Sequence, residues 1–254
     1  MSFRDRVTAR NEVLAGTFLN LASPLTAEII ALAGFDWVAV DLEHGAGGEL
    51  DALHQLQAIA HTGTAGLVRI ESANQSRIGH ALDSGADGVI VPQVRSAAEA
   101  AEVVSACRYA GHRGVARFNR AWQWSMRSGP LSDADSEVTC CIQIERSDAL
   151  ADVDAIAATE GVDVLFVGPA DLGHALGIDG GADHPDLLAA GAAVSDAALR
   201  HGKAAGILVA SVGQLEHYYR LGFTFLGCSA DTSCARCIKS ALSAEQPRNV
   251  KPSR

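Results

Sequence analysis

Lysine is scarce in this chain. Of 254 residues only Lys203, Lys239 and Lys251 carry an ammonium, and 30 acidic residues outnumber 20 Lys and Arg for a net charge of −10 at pH 7. That balance speaks against nucleic acid, whose binding draws on many Lys and Arg against phosphates. No run approaches the roughly 18 apolar residues of a membrane span. Residues 1–11 hold charged and polar groups and no apolar leader core, so the expected compartment is the cytoplasm. Aromatics make up 5% of the chain, and no linker of biased composition divides it. One domain over 1–254 is therefore expected, with residues 245–254 a frayed polar tail. Six cysteines fall mostly inside apolar runs, as small buried hydrophobes do in a reducing compartment. Cys234-x-x-Cys237 has no second Cys or His pair beside it, which leaves a zinc or redox reading without support.

What the chain does have is alternation. Apolar runs of strand length cover 15–20, 37–41, 66–70, 88–92, 138–145, 163–168, 204–209 and 223–227. Segments with helical spacing separate them, over 26–33, 49–61, 75–84, 97–108, 149–159, 185–201 and 212–221. Strand-then-helix order predicts a parallel sheet covered by helices. Eight such units in about 250 residues predict an α/β fold closed as a (β/α)8 TIM barrel. A charged helix over 2–14 precedes the first strand. An open doubly wound sheet would announce a Gly-rich phosphate turn after the first strand, and Asn20-Leu-Ala-Ser23 stands there instead. Four junctions (Ala33-Gly-Phe-Asp36, Ser84-Gly-Ala-Asp87, Glu160-Gly-Val-Asp163 and Leu221-Gly-Phe-Thr224) read as helix C-caps leading into strands, and their acids as structural. The long irregular stretch 113–135 is a lid, a subunit contact or a surface amphipathic helix.

In such a barrel the chemistry sits at the C-terminal ends of the strands. Strand two ends in Asp41-Leu-Glu43-His44, strand three at Arg69, strand five in Gln143-Ile-Glu145, and strand six runs into Gly168-Pro-Ala-Asp171. Glu145 and Asp171 offer two carboxylates from neighbouring strands, a set that suits a hard divalent cation with open positions, Mg²⁺ or Mn²⁺ ahead of Co²⁺ or Zn²⁺. The competing reading pairs one of them with an Arg such as Arg146. Gln143 lies on the same face as Glu145. Arg69 can hold an anion or a developing enolate, or pair with Asp41 or Glu43. Asp41 can orient His44 as a base near neutral pH. At Gly168 a helix begins, and because Pro169 cannot donate, the N–H groups of Ala170 and Asp171 are the donors for a substrate carboxylate. No lysine falls at this rim, whereas Schiff-base chemistry needs one there. Carbonyl activation is thus expected from a metal acting as Lewis acid.

The motifs Ala22-Ser-Pro24, Gly34-Phe-Asp-Trp-Val-Ala-Val-Asp-Leu-Glu-His44, Gly88-Val-Ile-Val-Pro92, Ile142-Gln-Ile-Glu145 and Glu160-Gly-Val-Asp-Val-Leu-Phe-Val-Gly-Pro-Ala-Asp-Leu172 carry a likeness. Over residues 14–240 the chain resembles the HpcH/HpaI aldolase family, metal-dependent class II pyruvate aldolases such as 4-hydroxy-2-oxoheptanedioate aldolase and 2-dehydro-3-deoxyglucarate aldolase. The resemblance implies a phosphoenolpyruvate/pyruvate-type barrel with metal on Glu145 and Asp171 and Gln143 beside it. It gives Arg69 to the keto oxygen and enolate, and proton transfer to His44 supported by Asp41. It further implies reversible aldol cleavage of a 4-hydroxy-2-oxo acid to an aldehyde and pyruvate or hydroxypyruvate, and a hexamer that exchanges its last barrel helix, here including residues 234–242. The chain departs from the family pattern at Arg108-Tyr-Ala-Gly-His-Arg-Gly114 and in the loop with Trp122 and Trp124, regions that in the family help shape the acceptor site. A citrate-lyase-type acyl-CoA lyase, a non-catalytic oxo-acid sensor and metal-assisted hydrolysis are the alternatives. The first would call for a basic groove that so few lysines do not favour.

Overall fold

The computed structural model describes residues 1–179, 183–209 and 211–233. Cys234, Cys237, the helix expected over 234–242 and the tail over 245–254 lie outside the described residues. Helix α1 (Phe3–Ala9) is closed by a reciprocal cap in which Asp5 N–H donates to Ser2 Oγ and Ser2 N–H to Asp5 Oδ2. It ends at Ala9, short of the expected residue 14, because Arg10 turns left-handed at its C-cap. The strands are β1 (Leu14–Leu19), β2 (Trp37–Asp41), β3 (Ala65–Arg69), β4 (Gly88–Val91), β5 (Thr139–Ile144), β6 (Val164–Val167), β7 (Ala204–Val209) and β8 (Phe225–Ala230). Each is parallel to the next, and β8 pairs back on β1, so the sheet closes.

Helices α2 (Pro24–Leu32), α3 (Glu49–Ile59), α4 (Gln75–Asp83), α5 (Ala97–Cys107), α6 (Leu131–Glu137), α7 (Ser147–Ala151), α8 (Val153–Ala158), α9 (Pro169–Ala175), α10 (Pro185–Arg200) and α11 (Leu215–Arg220) complete the order. The Ala-Ser-Pro motif is the start of α2. Ser23 caps it through a bond from Thr26 N–H, and Pro24 fills the first turn, where its missing donor costs nothing. The expected bottom turns are present, with Gly34, Gly85, Gly161 and Gly222 all at positive φ. Their acids are structural. Asp36, Asp87 and Asp163 accept from Ala15, Gly66 and Cys140 N–H, each tying a turn to the strand beside it. Lys203 also lies at this end and donates to the Thr159 carbonyl.

Strand alternation sorts the core into two layers. Val38 and Val40 of β2 face the helices, while Trp37 and Ala39 face the barrel interior with Phe18, Leu67, Ile90, Cys141, Phe166 and Phe225. Trp37 stacks on Phe225 with ring centroids 4.4 Å apart. It has room because Gly16 stands opposite: a Cβ there would come within 2.0 Å of the indole. The interior below the rim is thus filled, and α1 covers its lower end with Phe3 edge-on to Phe225. The same parity carries upward. Asp41, Arg69 and Gln143 stand two or four residues beyond interior residues of their strands and enter the barrel mouth.

Stretch 113–135 is no lid over this chain's own barrel mouth. It connects α5 to β5 and so runs beneath the opposite end. Its 3₁₀ turn (Arg120–Ser125) buries Trp122, whose indole N–H donates to Tyr109 Oη at 2.8 Å. Arg120 reaches the carbonyls of Leu56 and Ser84 below the strands. Among the described residues no helix is long and apolar enough to cross a membrane.

Candidate active site

At the C-terminal rim the strands surround a cavity of about 670 Å³. Asp41, His44, Arg69, Gln143, Gly168, Ala170 and Asp171 all line it, so the polar residues read at strand ends share one space. Glu145 stands behind that lining, 1% exposed, against Gly168.

Arg69 is the best-held cation of the rim. Its Nε and Nη2 donate to the two oxygens of Asp41 at 2.8 and 2.6 Å, a fork-on-fork pair. Its third nitrogen, Nη1, lies 3.2 Å from Glu43 Oε2, so both acids named as partners engage it. Phe18 lies under the guanidinium, 4.9 Å from ring centroid to Cζ. The guanidinium has five N–H donors. Two are spent on Asp41 and Nη1 also faces Glu43, which leaves part of the guanidinium edge for a substrate oxygen in the cavity.

Asp41 also accepts from Asn20 Nδ2 at 2.8 Å and from the backbone N–H groups of Glu43 and His44. Burial works against its charge, but the Arg69 bonds and charge outweigh it and hold the carboxyl below its ordinary range. The partners of Asp41 among the described residues are therefore Arg69, Asn20 and two backbone groups. It meets His44 at the main chain, and the imidazole stands exposed at the rim. Gly45 makes this tight turn possible, because a Cβ there would lie 2.1 Å from the Asp41 carbonyl oxygen.

Glu145 is held from two sides. Gln93 donates to Oε1 twice, from its backbone N–H at 2.7 Å and from Nε2 at 2.8 Å. Gln143 Nε2 donates to Oε2. Burial pushes the Glu145 carboxyl up, against the Gln93 bond, and the charges of Glu43 and Asp171 push it further. Burial likewise raises Glu43, against the pull of Arg69. Glu145 and Glu43 are thus poorly solvated carboxylates within reach of the charge of Asp171, and a cation would ease that repulsion. The oxygen of Gln143 is buried there without a hydrogen-bond partner. An all-oxygen donor set of this kind fits a hard divalent cation. No group of three or more His, Cys, Asp or Glu converges among the described residues. The fit is to two protein carboxylates with the remaining positions open. Gly168 is part of that fit, since a Cβ on it would meet Glu145 Oε2 and Gln143 Nε2 at 2.8 Å each.

Asp171 is exposed in the first turn of α9, with Ala170 before it. Arg146 does not take Glu145. It pairs with Asp148 through two bonds. Gln93 and Asn20 escaped the sequence reading. Both are polar residues just past a strand end, the signal that singled out their neighbours. A third addition is buried Asp231, which accepts from Asn20 and Leu21 N–H and so fixes the β1 loop beneath Asn20.

Many known proteins are similar to this chain. The family model described as HpcH/HpaI aldolase/citrate lyase matches residues 14–237. A protein of Pseudomonas aeruginosa named hydroxypyruvate/pyruvate aldolase is 41% identical over 91% of this chain and 87% of its own length. A Salmonella paratyphi C protein named 5-keto-4-deoxy-D-glucarate aldolase is 36% identical, with 92% of each chain covered. Among solved structures, a HpcH/HpaI aldolase/citrate lyase family protein from Burkholderia cenocepacia superposes with a TM-score of 0.91 at 35% identity, over 95% of this chain and 97% of that one.

Proposed function

Because this chain belongs to the HpcH/HpaI aldolase/citrate lyase family, we propose that its carbon–carbon lyase activity is a metal-dependent, reversible aldol cleavage of 4-hydroxy-2-oxo acids to an aldehyde and pyruvate or hydroxypyruvate. The observation that carries this reading is that Arg69, clamped by Asp41, lines one cavity with Gln143 and Asp171, with Glu145 directly behind that lining against Gly168. Glu145 and Asp171 would hold Mg²⁺ or Mn²⁺, which supplies Lewis-acid polarisation of a 2-oxo acid when bound.

The chain's own groups do the rest. Arg69 presents N–H donors to the keto oxygen and to the negative charge that gathers there as the enolate forms. One such donor is typically worth about 10² to 10³ in rate. Asp41 keeps the guanidinium in place, and Arg69 in turn favours the charged form of its carboxyl. His44, exposed at the rim, is the group assigned to take the C3 proton or the 4-hydroxyl proton, a role worth about 10² to 10⁴. Ala170 and Asp171 N–H stand at the start of α9 for the substrate carboxylate. The aldehyde occupies the apolar side of the cavity, against Ile178, Leu187, Leu208 and Val209.

The test is deuterium exchange at pyruvate C3, followed by NMR in D₂O on chelator-stripped protein with and without Mg²⁺ or Mn²⁺. Exchange should need the added metal and should be followed by carbon–carbon bond formation with one or more of a panel of aldehydes. Full exchange in rigorously stripped protein, or none with any divalent metal, overturns the proposal.

A further inference from the structure

Gln93 follows Pro92 at the end of β4 and adopts φ +60°, a left-handed conformation that residues other than glycine rarely hold. Backbone of this kind persists where the surroundings impose it, and such positions cluster at functional sites. Here it turns both the main-chain N–H and the side-chain amide of Gln93 onto Glu145 Oε1, at 2.7 and 2.8 Å. A carboxylate oxygen offers about two lone pairs, so Oε1 is fully occupied. Oε2 takes one donor, from Gln143. That oxygen faces Gly168, where β6 gives way to the helix that bears Asp171. On the outer side the Gln93 Oε1 lies 3.5 Å from Arg146 Nη1, a long contact, and Arg146 is anchored on Asp148 at 2.9 and 3.0 Å.

We propose that Gln93 is a positioning residue that saturates one oxygen of Glu145, so that the carboxylate meets the cation through Oε2 alone, and that Arg146 fixes the amide which does this. The proposal rests on the reading of Glu145 as a metal ligand. Groups that hydrogen-bond a ligating carboxylate orient it, and losing one typically costs about 10- to 100-fold in metal affinity.

The experiment titrates Mn²⁺ into chelator-stripped full-length protein, reading free Mn²⁺ by electron paramagnetic resonance, alongside thermal unfolding of the same samples. Gln93→Gly keeps the backbone N–H and relieves the left-handed strain. Its unfolding midpoint should equal or exceed that of the wild type, while Mn²⁺ affinity falls about 10- to 100-fold. Gln93→Glu sets a second carboxylate against Glu145 and should lose more. Arg146→Met should lose less than Gln93→Gly, and wild-type affinity there overturns the part given to Arg146. A Gln93→Gly protein with wild-type affinity overturns the proposal, as does one whose affinity and midpoint fall together, since that marks a merely structural role. Glu145→Gln separates the two readings. If it abolishes Mn²⁺ binding while Gln93→Gly does not weaken it, the ligand reading stands and the positioning role falls. If Glu145→Gln binds Mn²⁺ as tightly as the wild type, the ligand reading fails and takes the Gln93 role with it.

Discussion

Asp41→Asn is the sharpest probe of how the rim is held. The carboxylate, 2% exposed, receives five bonds: two from Arg69, one from Asn20 Nδ2 and two from backbone N–H groups. An amide in its place keeps one oxygen and turns an NH₂ toward groups that are themselves donors. Removing one partner of a buried ion pair costs about 3–5 kcal/mol. Glu43, 3.2 Å from Arg69 Nη1, still offsets part of the stranded charge, which points to the lower end, about 3 kcal/mol. For a chain of this size each kcal/mol moves the unfolding midpoint by about 2–4 °C, so a drop of about 6–12 °C is expected. The pH dependence has a definite sign. Arg69 holds the Asp41 carboxyl below the ordinary value of 3.8, so its stabilisation is complete above that value and is lost as pH falls through the lower, folded one. Urea unfolding at several pH values should therefore show a constant gap between wild type and variant from pH 8 down to about 4, closing only below. Pyruvate C3 exchange in the variant should slow by about 10² to 10³ as Arg69 swings toward Glu43. A stability gap under about 0.5 kcal/mol at pH 7, the range of ordinary surface changes, refutes the clamp. So does a gap that closes between pH 5 and 8.

Three further outcomes are expected. Gly168→Ala drives a Cβ into Glu145 Oε2 and Gln143 Nε2; overpacking of this kind costs about 1–3 kcal/mol, and calorimetry should show Mn²⁺ affinity falling with it. Trp122→Ala removes a buried indole together with its bond to Tyr109, and denaturant unfolding should register about 3–5 kcal/mol lost. Because Asp41 meets His44 only at its backbone N–H among the described bonds, the stability losses of Asp41→Asn and His44→Ala should add in the double variant to within about 0.5 kcal/mol. A larger coupling would restore a contact between the carboxylate and the imidazole.

Which of the candidate residues share one cavity was largely legible along the chain, because a β-strand is a period-2 object. Once Trp37 and Ala39 are assigned to the interior, Asp41 must follow them, and Cys141 likewise carries Gln143 into the mouth. Repeated strand-then-helix spacing with Gly turns at the lower junctions dictated the barrel, and barrel geometry dictated which strand ends to read. Asp171 could be found because Gly-Pro marks where β6 ends and a helix must begin. What local pattern could not decide was partnership. Asp41 and Glu43 were equal candidates for Arg69, and only the position of β3 against β2, with Asp41 opposite Arg69 in register, gives Asp41 the bidentate bond and leaves Glu43 the outer nitrogen. Gln93 was hidden for the same reason, since its left-handed backbone is imposed by the loop it closes above Glu145. For the stretch 113–135 a lid, a subunit contact and a surface amphipathic helix all stayed open, because length and composition do not say what a loop packs against. Sequence periodicity sets which way each side chain faces on its own strand. The distances between strands, and hence which charges meet, exist only once the sheet has closed.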